Sequence, residues 1–112
     1  MPSIRDMLKA HSVITRLSTN PNLFVTTSYK FLPIMEFLDG VADGYAKARD
    51  VIIQDDTDVD QKEKALNDYL DSEVNLPSVQ IGVNSLRNCG LTMIDLRDIN
   101  WWLVEFVDEY ED

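Results

Sequence analysis

The sequence predicts an α+β fold that is mostly α. It has four helices at about residues 4–17, 28–54, 59–72 and 93–109, the second long and central, and a short β-strand or hairpin near 73–83. Three observations predict it. Apolar residues recur at intervals of three and four through residues 29–54, the period of one helical face and the longest such run in the chain. Two other segments open on a hydroxyl residue with an aspartate three positions later, Ser3 with Asp6 and Thr92 with Asp95, a pattern that starts helices. From Val74 to Val83 the apolar period drops to two, that of a half-buried strand. A chain of 112 residues fits one domain, 1–112, with one core.

In the first helix Ile4, Met7, Leu8, His11, Ile14 and Leu17 fall on one face. His11 is the only histidine, so the expected role is a packed or half-exposed ring; a metal ligand or general base needs partners that the sequence scarcely offers. Asn20 before Pro21 marks a turn, because a residue preceding proline is pushed out of the helical region. Leu23, Phe24 and Val25 then form either a short strand or an extended lead-in. Pro33 is comfortable only in a first turn, so the central helix begins near Leu32, or near Ser28 with a bend at Pro33; the earlier start is the favoured reading. Its expected core face is Leu32, Met35, Leu38, Ala42, Tyr45, Ala46, the Arg49 stem and Ile52. At 1.5 Å of rise per residue the run is roughly 39 Å long, so other elements must pack along it. Gly40 and Gly44 lie on one side of it, which predicts a close helix approach or a bend.

Residues 54–60 break this helix with a run of aspartates. Asp56, Asp58 and Asp60 copy the first three ligands of a calcium loop, but Gln61 stands where a glycine is needed and Asn67 where a bidentate glutamate is needed. The expectation is therefore no metal and no cofactor, with the acids serving the N-terminus of the third helix, where free amides and the helix dipole favour them. That helix buries Val59, Ala65, Leu66, Tyr69 and Leu70 and returns antiparallel to the central one. A strand is expected at 79–83, pairing with 73–76 as a hairpin or with 23–25. In the last helix Leu96, Ile99, Leu103, Phe106 and Tyr110 share a face. Trp101 and Trp102 are adjacent, about 100° apart around that helix, so Trp101 is expected to be partly exposed and Trp102 buried.

The net charge of −10 is unevenly spread. Residues 1–34 carry four basic side chains against Asp6, or +3, so the rest carries −13. Such a surface repels nucleic acid and anionic lipid and favours a basic partner, besides keeping the protein in solution. No run is apolar and long enough to span a membrane, and no basic start followed by an apolar stretch suggests a signal peptide. One cysteine, Cys89, excludes an internal disulfide. There is no phosphate-binding glycine loop, Gly-x-Ser-x-Gly, His-Glu-x-x-His or Cys-x-x-Cys, so an enzyme is not expected. The candidate partner-binding residues are Asp55, Asp56, Asp58, Asp60, Glu63, Trp101, Asp108 and Glu109, acids of the two acidic clusters plus one exposed anchor.

Leu-Phe-Val-Thr-Thr-Ser-Tyr-Lys at 23–30 leads into the long helix, which carries Tyr-Ala-Lys-Ala-Arg at 45–49. An acidic break and a short helix follow, then Leu-Pro-Ser-Val-Gln-Ile at 76–81 and Gly-Leu-Thr-x-x-Asp-Leu at 90–96. Over residues 23–107 this order resembles a family of short, uncharacterised proteins of tailed bacteriophages, with no active site to carry over. The resemblance implies a phage product in the cytoplasm of a bacterial host. The expected function is a small acidic binding protein that inhibits or modulates a host factor, such as a nucleic-acid-handling or defence complex, by protein–protein contact. The alternative is a structural or assembly protein of the phage particle, with a homo-oligomer as one form.

Overall fold

The first helix, α1 (Ile4–Leu17), starts at a reciprocal cap. The Ser3 hydroxyl accepts from the Asp6 amide, and the Asp6 carboxylate accepts from the Ser3 amide at 3.0 Å. Each half satisfies an amide that the first helical turn leaves unpaired. Met7, Ala10, Val13, Ile14 and Leu17 then fall at helical spacing and are buried. A computed structural model describes residues 2–55 and 58–104 of the chain.

α2 (Val25–Gln54) is a single helix of 30 residues with Pro33 inside it, starting earlier than the sequence suggested. Residues 23–25 are therefore no strand, and the helix opens without a side-chain cap: Phe24 occupies the capping position, and the Ser28 hydroxyl donates to the Phe24 carbonyl. The inward face runs through Thr27, Phe31, Ile34 and Leu38, which corrects the expected phase at Leu32, now 60% exposed. The first half of α2 carries apolar side chains on more than one side, so two phases fitted the pattern. Packing against α1 selected Phe31 and Ile34, each one position earlier than expected, while Leu38 is buried as expected.

α3 (Val59–Leu70) is capped by Asp58, whose Oδ1 accepts from the Gln61 amide at 2.9 Å, and it ends two residues before the expected boundary. It lies along the second half of α2, where Tyr45 and Tyr69 stack with centroids 6.3 Å apart and the Arg49 guanidinium sits 5.8 Å from the Tyr45 ring centre. The expected close helix approach at the two glycines is not what they serve: a Cβ at Gly40 would meet nothing within 4 Å, and one at Gly44 would meet only the Tyr69 hydroxyl, at 3.4 Å.

The expected hairpin is replaced by longer-range pairing. β1 (Ile81–Gly82) pairs in parallel with β2 (Leu103–Val104), Ile81 opposite Leu103, while Glu73 forms an isolated antiparallel bridge with Ser3. A parallel pair needs a crossover. Here the crossover is a 3₁₀ turn (Val83–Leu86), the loop closed by Gly90 at φ +72°, and α4 (Met93–Asp98). The reciprocal cap predicted at Thr92 and Asp95 is present. The helix it opens, expected to run to 109, ends at Asp98. Its residues 99–102 form turns, with the Ile99 carbonyl accepting from Trp102 and the Asn100 carbonyl from Leu103, and the Trp102 carbonyl accepts from the Ile81 amide at 2.8 Å. The aromatic and β-branched residues there favour extended backbone, and the ladder to β1 takes the hydrogen bonds that a continued helix needs.

One core joins α1, the first half of α2, Ile81, Leu86, Cys89, Ile99 and Trp102. α2 is about 45 Å long and α1 about 21 Å at 1.5 Å per residue, so α1 covers only half of it. No residue of α2 beyond Leu38 is buried, and Leu70 alone is buried on α3. The result is a head that holds the core and an α2–α3 arm that projects from it, together 60 × 25 × 23 Å. The arm's return is tied to the head by Arg5 reaching Asp71 at 3.2 Å and by the Ser72 carbonyl accepting from the Ile4 amide at 3.0 Å.

Candidate functional site: an acidic arm and a tryptophan cleft

The sequence-predicted residues fall at two separate places. Asp55 ends α2 and Asp58 caps α3, so both flank the turn at the free end of the arm; Asp60 and Glu63 follow on the first turns of α3, all four exposed. Asp56, Asp108 and Glu109 lie outside the described residues. Trp101 belongs to the head. Trp101 is 39% exposed, whereas Trp102 is 2% exposed, the order expected from their angular separation.

Around the free end of the arm the acids stand beside Val51 and Ile53, which the sequence analysis did not single out, and beside Val59, which was expected to be buried but opens α3 where the core no longer reaches. Val51, Ile53 and Val59 are each more than half exposed. A signal for them exists: Val51, Ile52 and Ile53 are consecutive, and three successive residues on a helix span about 200°, so one packed face cannot cover them all. Lys62 donates to the Ile53 carbonyl at 2.9 Å, which closes the turn between the helices. Asp58 is held as a cap, and Asp60 lies in the first turn, where the helix dipole favours its charge. Among the described residues no three histidine, cysteine or carboxylate side chains are grouped so as to hold a metal ion.

Trp101 lines a cleft of about 180 Å³ with Asp6, Lys9, Arg97, Asp98 and Asn100. Asp6 is engaged in the α1 cap, and Arg97 lies 3.5 Å from Asp98, leaving Lys9, Asn100 and the indole face for a ligand. No protein-family model matches the chain, and neither the curated proteins nor the solved structures contain a match.

Three side chains of reactive type, His11, Cys89 and Asp95, make contacts within the head. His11 Nε2 lies 2.9 Å from Asp39 Oδ1, bridging α1 and α2 at the surface. Cys89 is buried and its thiol is pushed up by that burial, which disfavours the thiolate a nucleophile needs. Asp95 is buried at the base of α4 and receives Arg16 Nη2 at 2.7 Å and the Thr92 amide at 3.1 Å; the Arg16 hydrogen bond and then the amide hold its carboxyl below the usual range. A carboxyl with a depressed folded-state pKa adds stability above its unfolded pKa of about 4. That stability is lost as pH falls through the folded value. Asp95→Asn is expected to lower stability in urea unfolding at neutral pH, and the gap to the parent protein should narrow steadily below about pH 4. No helix among the described residues is long and apolar enough to cross a membrane.

Proposed function

We propose that the chain is a small acidic binding protein, without catalytic machinery of its own, whose arm meets a partner bearing a basic surface. The observation that carries this reading is the free end of the arm: Asp58, Asp60 and Glu63 are exposed beside Val51, Ile53 and Val59 on a projection that the core does not use. Apolar side chains give such a contact its desolvated centre, and the carboxylates give it charge selection and a fast encounter. The resemblance to tailed-phage proteins supports reading the partner as a component of the cytoplasm of a bacterial host. A nucleic-acid-handling or defence complex is the class of partner that fits best, because carboxylates arrayed along a helix can occupy a groove built for phosphates.

The test is retention of bacterial lysate proteins on the immobilised chain at low and high salt, beside the variant Asp58→Asn/Asp60→Asn/Glu63→Gln. Asparagine caps helices as well as aspartate does, so the arm stays folded while losing its charge. A basic protein held by the parent chain at low salt, released at high salt and ignored by the variant is the expected result. Retention that neither salt nor the variant alters contradicts the proposal.

A further inference from the structure

The cleft on the head gathers charges of both signs around one indole. Asp6 and Lys9 come from α1, Arg97 and Asp98 from the end of α4, and Asn100 and Trp101 from the turn that follows. Two acids balance two cations, so the lining favours neither a simple anion nor a simple cation. The opposite charges are not locked together. Arg97 Nη2 stands 3.5 Å from Asp98 Oδ1, whereas the Arg16–Asp95 pair of the same head closes to 2.7 Å. The Arg97 side chain is 68% exposed and that of Asp98 16%, so the cation lies at the rim and the acid within. Both hydrogen bonds from Ser3 to the Asp6 side chain use Oδ2, and Lys9 is exposed one turn further along α1.

We propose that this cleft binds a small zwitterion, a free α-amino acid with a flat aromatic side chain. One carbon separates the ammonium of such a molecule from its carboxylate, so the two lie head to tail on the loose Arg97–Asp98 pair. The ammonium donates to Asp98 and the carboxylate accepts from Arg97 and Lys9, charge-assisted hydrogen bonds that a ligand of one sign makes only in part. The ring then rests on the Trp101 face, where offset stacking adds to the area buried. Size agrees with this class. The cleft holds about 180 Å³, against about 300–1,000 Å³ for sites that take drug-sized ligands. The site is on the head and does not involve the arm contact proposed above.

Titration of the isotope-labelled protein with phenylalanine, following the two indole N–H resonances by NMR, tests it; Trp101→Phe assigns them. Phenylalanine should move the Trp101 signal with a dissociation constant on the order of 1 mM, as the ligand's size allows. N-acetylphenylalanine keeps only the carboxylate and phenylalanine amide only the ammonium, so each should bind about tenfold more weakly or worse. Asp98→Asn and Lys9→Gln should both weaken the response to phenylalanine. Circular dichroism establishes that Asp98→Asn folds, and Lys9→Gln, at an exposed position, carries the test if it does not. Three results overturn the proposal: a Trp101 signal that stays still up to the solubility limit of phenylalanine, a blocked form that binds as well as phenylalanine, or a response that neither variant changes.

Discussion

Leu38→Ala lowers the unfolding free energy by about 2–5 kcal/mol, whereas Leu32→Ala, six residues away on the same helix, changes it by about 0.5 kcal/mol or less. The two leucines differ in what surrounds them. Leu38 is fully buried where α2 packs in the head, among side chains that cannot collapse into the space a methyl would leave. Leu32 points to solvent at 60% exposure, and truncating it removes little burial. Urea unfolding of both variants measures the contrast. Equal losses would mean that the helix is rotated from the phase described, and a larger loss at Leu32 would mean that the outward side of α2 is covered.

The second large effect is at the paired tryptophans. Trp102→Ala is expected to cost about 3–5 kcal/mol, the range for removing a buried aromatic ring. Trp101→Ala should cost about 1 kcal/mol or less, since its ring is only partly withdrawn from water. A third variant separates packing from polarity. Trp102 Nε1 is buried with no hydrogen-bond partner among the described residues, and an orphaned buried donor costs about 1–3 kcal/mol. Trp102→Phe removes that donor along with part of the ring, so its loss should be clearly smaller than that of Trp102→Ala. If the phenylalanine and alanine variants lose equally, the indole N–H is satisfied in solution.

Local chemistry was legible in the sequence, and long-range pairing was not. The Ser3–Asp6 and Thr92–Asp95 caps were readable because a capping box is a short motif with a fixed mechanism. The ends of α1 and the turn after Gln54 followed from polar breaks at the ends of periodic runs. Leu103 and Val104 were placed in a helix because their spacing from Ile99 continues its period. Nothing local announces that they pair in parallel with Ile81 and Gly82, some twenty residues upstream. The same limit applies to the surfaces. Adjacent tryptophans on a turn imply that one is exposed, so Trp101 was readable. The arm follows from a length comparison the sequence does contain, a 30-residue helix beside a 14-residue one. The run of Val51, Ile52 and Ile53 implies that some of them are exposed, but that Val51, Ile53 and Val59 are the exposed ones depends on which side of α2 is covered by α3.

The partner contact depends on an arm that stands away from the head. Small-angle X-ray scattering on the monomer, diluted in high salt, measures this directly. A radius of gyration near the 16.5 Å of the backbone, with an asymmetric distance distribution reaching about 60 Å, is the predicted result. A value near 13 Å, that of a compact domain of this length, with a symmetric distribution, would show the arm folded back onto the head and contradict the account.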